Sequence, residues 1–109
     1  MRMWGVEPAL LCRKHLLGEH VEMHMFVGSI RKGNSINGYV SSGLVHVPSI
    51  ASRHDALASE LTRRGMSHRS PLLPFESPDI GGIDVWANLA ELCQRCPDCC
   101  EVINFRKER

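Results

Sequence analysis

With 109 residues, 43% of them hydrophobic and 23% charged, the chain has the composition of an ordinary globular domain with one modest core, not of a disordered or low-complexity segment. The formal net charge of +1 excludes a uniformly basic or acidic surface, yet the charge is divided, +4 over residues 1–73 and −3 over residues 74–109. No apolar run approaches the roughly 20 residues of a bilayer span, Glu7, Arg13 and Lys14 interrupt any signal-peptide core, and five cysteines do not suit a fully paired secreted framework, so a cytoplasmic protein is expected.

Pro8 suits the first turn of a helix, and Leu10, Leu11, Leu17, Val21, Phe26, Val27 and Ile30 recur at helical spacing. They predict a long first helix from about Pro8 to Arg31, closed by Lys32-Gly33. Within it His15, Gly18 and Glu22 stand at i, i+3 and i+7 and share one face. A glycine inside a helix costs about 1 kcal/mol relative to alanine. Close packing over Gly18 is therefore expected, and a face with a base, an acid and bare backbone between them reads as a site. Gly33 to Val47 reads as a loop, with Tyr39-Val40 and Leu44-Val45 as short extended pieces. Pro48-Ser49 opens a second helix with Ser49 as N-cap; Ile50, His54, Leu57 and Leu61 form its inner face and Arg63-Arg64-Gly65 ends it. Pro71, Pro74, Pro78 and Gly81-Gly82 mark an irregular linker. Asp84 caps a third helix that runs to about Cys96 and stops at Pro97. The expected architecture is an all-α single domain over residues 1–109, with three main helices and the N-terminal segment packed against the first and third of them.

Basic clusters at Arg13-Lys14, Arg31-Lys32 and Arg63-Arg64, with His68 and Arg69 beyond, suit either a phosphate-facing surface or solvated helix faces. His20 and His24 have the i, i+4 spacing of two zinc ligands, but the order His-x-Glu-x-His is not that of metalloproteases and a third ligand is not evident. Exposed or capping histidines are expected there. Cys93-x-x-Cys96-x-x-Cys99-Cys100 has the spacing of zinc knuckles and redox sites. Structural zinc would take three or four of these thiolates, with Cys12 or a histidine as an alternative fourth ligand. Reduced thiols packing the end of the third helix are the expectation, and no cofactor is required.

The run Lys14-His15-Leu16-Leu17-Gly18-Glu19-His20-Val21-Glu22-Met23, followed by Phe26-Val27-Gly28-Ser29-Ile30-Arg31-Lys32, resembles the first helix of the phage-type pyrimidine-dimer DNA glycosylases. These are endonucleases of ultraviolet-damage repair with an abasic-site lyase activity. Ser42-Gly43-Leu44-Val45, Arg53-His54-Asp55-Ala56-Leu57 and Glu60-Leu61-Thr62-Arg63-Arg64-Gly65-Met66 resemble the loop and second helix of that family in the same order, so the similarity covers roughly residues 1–70. In the well-known members the initiator methionine is removed and the next residue's α-amine is the nucleophile. Here Arg2 follows Met1, and a bulky second residue normally prevents that removal. A retained Met1 puts its amine where the family's processed amine falls; Glu22 then aligns with the catalytic glutamate, and Arg2 and His15 with a functional arginine and histidine. The resemblance thus implies catalysis by Met1, Glu22 and His15 on double-stranded DNA holding a pyrimidine dimer or abasic site, with no metal, membrane or protein partner. DNA contacts are expected from Arg2 and from the basic clusters Arg13, Lys14, Arg31, Lys32, Arg63 and Arg64.

The chemistry is sound on its own. An α-amine has a pKa near about 7.7–8.0 against about 10.4 for lysine, so an appreciable fraction is nucleophilic at physiological pH. Attack on the sugar C1′ displaces the base and leaves an imine, splitting one hard step into two. Glu22 would stabilise the positive charge and assist proton removal at C2′. His15 would donate a proton to the leaving base or ring oxygen, and Arg2 would clamp the flanking phosphate. Two other readings compete: a non-catalytic DNA-binding module on the same scaffold, held by zinc at the cysteines, and a metal-dependent hydrolase using His20 and His24.

Overall fold

The structure, a computed structural model, describes residues 1–67 and 70–107, without the side chains of Arg106 and Lys107; the expectation for His68 and Arg69 lies outside the described residues. Five α-helices carry the fold: α1 (Arg13–Arg31), α2 (Asn37–Ser41), α3 (Ile50–Arg63), α4 (Val85–Arg95) and α5 (Pro97–Lys107). Short 3-10 turns at Pro8–Leu10 and Val47–Ser49 lead into α1 and α3. Two short strands, β1 (Val45–His46) and β2 (Gly81–Gly82), pair antiparallel with Val45 opposite Gly82 and His46 opposite Gly81.

The core lies between α1 and α3. Leu16, Met23, Phe26 and Val27 of α1 meet Ile50, Leu57 and Leu61 of α3, and all seven are buried. Each such side chain contributes roughly 1.5–3 kcal/mol when taken out of water. The α4–α5 hairpin adds Leu92, Cys96, Cys99 and Ile103 to the same cluster, and the N-terminal segment adds Met3, Trp4 and Val6. Among the described residues, no helix is long and apolar enough to cross a membrane.

Several expectations need correction. The first helix begins at Arg13, not Pro8. Pro8 opens only a 3-10 turn, Leu11 is extended, and Cys12 is the N-cap, its sulfur accepting from the His15 N–H. Tyr39-Val40 is helical in α2 and not extended. Ser49 does not cap α3 with its hydroxyl, which lies 2.6 Å from His46 Nδ1 instead. The helix expected to run to about Cys96 does end there, as α4 with Cys96 as its C-cap, but Pro97 also opens a further helix, α5, where its missing N–H is harmless. Three main helices are therefore too few. All-α is also incomplete, because the Gly81-Gly82 linker forms a strand with β1. Gly81 has φ +88°, and a Cβ there would stand 2.2 Å from the Val45 carbonyl oxygen, so only glycine lets the two backbones approach. Asp84 does cap α4, accepting from the Ala87 N–H at 3.0 Å.

Candidate active site

The N-terminal segment crosses the middle of α1 and is held from four directions. Trp4 donates its backbone N–H to Glu19 Oε2 at 3.1 Å. Arg53 of α3 forks onto the same carboxylate, Nε to Oε2 at 2.6 Å and Nη2 to Oε1 at 2.9 Å, and donates Nη1 to the Val6 carbonyl at 2.7 Å. Asn88 of α4 donates Nδ2 to the Trp4 carbonyl at 2.8 Å, and Met3 donates to the Leu44 carbonyl at 2.7 Å. Glu19 is 1% exposed and Arg53 8%, so this is a buried bidentate pair.

These contacts deliver the Met1 amine to 3.9 Å from Glu22 Oε1. Burial pushes the Glu22 carboxyl above its ordinary value, against the opposing pull of the Met1 amine and a backbone hydrogen bond from Arg2. His15 is held below its ordinary value, first by burial and then by the charges of Arg95 and Lys14. Glu22, His15 and Gly18 line one pocket of about 320 Å³ together with Arg2, Trp4, Lys14 and Arg95. The expected packing over Gly18 is absent: apart from the backbone of its own helix turn, no described heavy atom lies within 4 Å of where its Cβ would stand. The glycine leaves the pocket floor open, and Trp4 forms a wall, its ring edge-on to His15 with centroids 5.9 Å apart.

Arg2 is stacked on Trp4 at 3.6 Å and donates to Glu91 Oε2 and Asn88 Oδ1, both at 2.8 Å. Glu91 is shared with Arg95, whose Nη1 donates to the same oxygen at 2.6 Å. Leu17, Val21 and Met25, four residues apart in turn, form an exposed apolar stripe on α1. A second hollow of about 330 Å³ opens between Met1, Met25, Lys32 and Tyr39.

The basic residues divide by what they already touch. Arg13, Lys14, Arg31, Lys32 and Arg63 are exposed. Arg31 donates to the Pro74 carbonyl. Arg63 and Arg64 both pair with Glu60, holding its carboxyl down to about 2, and Arg64 also donates to the Leu11 carbonyl at 2.7 Å. Arg13 and Lys14 are thus the freer cations at one end of α1, where they and Arg63 line a cleft of about 770 Å³. Lys32 marks the other end. At 1.5 Å per residue the two ends of α1 stand about 27 Å apart, with Glu22 between them.

Sequence reasoning missed Glu19, Arg53, Asn88 and Glu91 as residues that position the site. Arg53 lies in the run that carried the family resemblance, which was the available signal. His20 and His24 are joined by His54, whose Nε2 lies 3.2 Å from His24 Nε2 and whose ring centroid lies 4.9 Å from that of His20. The third histidine not evident from sequence is therefore present, and His20 and His54 are buried, not exposed. The cysteines also regroup. Cys93 and Cys100 form a disulfide, correcting the expectation of reduced thiols packing the end of the third helix and removing both from any four-cysteine zinc set. Helices α4 and α5 reverse about Pro97 and bring those two together. Cys12, Cys96 and Cys99 are free and buried, and with His15 they can hold a metal, their ligand atoms lying within 4.8 Å of one another.

No curated protein and no solved structure matches the chain. A family model described as pyrimidine dimer DNA glycosylase matches residues 1–73, which contain Met1, Arg2, His15, Glu19, Glu22 and Arg53. The match spans well over half the chain, which therefore belongs to the pyrimidine dimer DNA glycosylase family.

Proposed function

We propose that the protein is a DNA N-glycosylase with abasic-site lyase activity, acting on pyrimidine dimers in double-stranded DNA through the Met1 α-amine. The observation that carries this reading is the amine's position, 3.9 Å from a half-buried Glu22 at the edge of a pocket rimmed by cations. The amine nitrogen bonds to C1′ and the glycosidic C1′–N bond breaks, its electron pair leaving on the pyrimidine, which takes a proton. The C1′–O4′ bond breaks as the iminium forms, its electron pair leaving on the ring oxygen, which takes a proton from water. Glu22 stabilises that positive charge and then takes the C2′ proton, the C3′–O bond breaks, and water hydrolyses the imine to restore Met1. The raised pKa suits the task, because a base works best when its pKa lies nearer the operating pH.

The remaining residues bind and orient. Lys14 and Arg95 offer charge to the phosphates flanking the flipped nucleotide. Arg2 is held by Asn88 and Glu91, and Arg95 already shares Glu91, so a phosphate can take Glu91's place on Arg2 while Glu91 keeps Arg95. Arg13, Lys14 and Lys32 span about 27 Å of α1, close to eight base-pair steps, and can follow one backbone. His15 faces the sugar from the same helix face as Glu22.

Single-turnover strand cleavage of a dimer-containing duplex tests the reading. Glu22→Gln is expected to lower the rate by about 10²–10⁴-fold, the usual worth of a general acid or base. Cleavage at the wild-type rate by folded Glu22→Gln would remove Glu22 from the mechanism.

A further inference from the structure

Cys12, His15, Cys96 and Cys99 converge from two ends of the chain, and the proposed reaction does not explain why. We propose that these four side chains form a structural zinc site, a closed tetrahedron of three thiolates and one imidazole that fastens the C-terminal hairpin to the start of α1.

The distances are those of a metal tetrahedron. Zinc–sulfur bonds of about 2.3 Å and zinc–nitrogen bonds of about 2.0–2.1 Å set sulfur–sulfur separations of about 3.8 Å and sulfur–nitrogen separations of about 3.6 Å. Cys12 Sγ lies 3.9 Å from Cys96 Sγ and 3.3 Å from His15 Nδ1, and Cys99 Sγ lies 3.6 Å from the same nitrogen. Every pair of the four ligand atoms falls within 4.8 Å. Side chains that merely fill a core have no reason to turn all four soft donor atoms toward one point.

The surroundings support the same reading independently. Each sulfur accepts a backbone N–H: Cys12 donates to Cys99 Sγ at 3.2 Å, Cys99 to Cys96 Sγ at 3.4 Å, and His15 to Cys12 Sγ at 3.5 Å. A neutral thiol is a weak acceptor, whereas a metal-bound thiolate is a strong one and is oriented by such second contacts. Cys12 is the N-cap of α1, and Cys96 immediately precedes Pro97, the first residue of α5. The positive ends of two helices therefore face the excess negative charge of three thiolates on a divalent ion. Cys12, Cys96 and Cys99 are buried and the protein supplies all four ligands, which marks a structural site and not a catalytic one.

The consequence reaches both halves of the chain. Cys12 and His15 lie within the family match over residues 1–73, whereas Cys96 and Cys99 lie beyond it. Among the described residues, α5 buries only Cys99 and Ile103, so the metal supplies an anchor its apolar packing lacks. Metal on Nδ1 leaves the His15 proton on Nε2, which makes this pocket-lining ring a fixed hydrogen-bond donor.

Metal content and spectrum test the site without reference to enzymatic activity. Full-length protein purified without chelator is expected to carry one zinc per chain. Replacement by cobalt(II) is expected to give thiolate charge-transfer bands and the intense visible absorption of a tetrahedral site with three sulfurs and one nitrogen. Cys99→Ser is expected to weaken cobalt binding by more than about 100-fold, beyond the loss typical of a residue one shell out. The paired variant Cys93→Ser/Cys100→Ser is expected to keep both stoichiometry and spectrum. Should Cys99→Ser fail to fold, the wild-type cobalt spectrum and the paired variant still decide. The proposal is overturned if folded wild-type protein holds no zinc above trace and takes up no cobalt. It is equally overturned if metal is lost in the paired variant but retained in Cys99→Ser.

Discussion

Replacing Arg53 by methionine removes the guanidinium that holds Glu19 while keeping most of the side-chain volume. Glu19 is then left at 1% exposure with the Trp4 N–H as its remaining partner, and the Val6 carbonyl loses its donor. Breaking one side of a buried pair typically costs about 3–5 kcal/mol, because the orphaned charge bears its full desolvation penalty. In a chain of this size that is a large share of the roughly 5–15 kcal/mol of total stability. At roughly 4–8 °C per kcal/mol it lowers Tm by about 12–40 °C. Glu19→Leu combined with Arg53→Met is expected to recover much of the loss, since an apolar pair of similar volume often replaces a buried ion pair without penalty. It will not recover all of it, because the Trp4 N–H is left without an acceptor at about 1–3 kcal/mol. Urea unfolding followed by circular dichroism gives the four corners of the cycle. If Arg53→Met unfolds within about 1 kcal/mol of wild type, the buried pair does not hold the N-terminal segment and the reasoning fails.

Glu22→Gln has a stability signature as well as a kinetic one. Burial raises the folded pKa of Glu22, so the stabilisation it contributes is fully present below its unfolded pKa and is lost as pH rises through the folded pKa. Gln removes that dependence; Tm of the variant should match wild type near pH 4 and exceed it near pH 8, as read by thermal melts. Glu60 behaves oppositely. Its pKa is held at about 2 by hydrogen bonds from Arg63 and Arg64, so its stabilisation is present above about 4.5 and disappears as pH falls toward 2. Because Arg63 is solvent-exposed, about 1–2 kcal/mol is expected, measured as the difference between wild type and Glu60→Gln in acid titrations. Arg13→Ala combined with Lys14→Ala should reduce the slope of log affinity against log salt for duplex DNA by about 2, one unit per lost phosphate contact. An unchanged slope would place the DNA on another face.

The geometry of the amine and Glu22 was legible because it depends on spacing along one helix and on a terminus. His15, Gly18 and Glu22 share a face wherever α1 happens to begin, so the misplaced start at Pro8 did no harm to the site. The start was misread because leucines at positions 10 and 11 continue the helical period, while the cap that ends it is a cysteine sulfur, an uncommon N-cap. Pro97 carried two meanings, stop and first residue, and periodicity could not choose, because α5 has only a weak apolar face to announce it. Glu19 looked like one more charge on a helix surface; its partner Arg53 is 34 residues away, and only folding shows that both are buried. The same holds for Cys12 and His15, which lie more than 80 residues from Cys96 and Cys99. A Cys-x-x-His at one helix start and a Cys-x-x-Cys at another were both in plain view, and what the sequence withheld was that the two helices begin at the same place.

Borohydride trapping on abasic-site and cyclobutane-dimer duplexes, followed by peptide mapping of the adduct, tests the central claim most directly. The account predicts a covalent protein–DNA adduct on both duplexes, located on the amine of Met1 and abolished when that amine is acetylated. An adduct on a lysine, or no adduct from protein with a free Met1 amine, would contradict it.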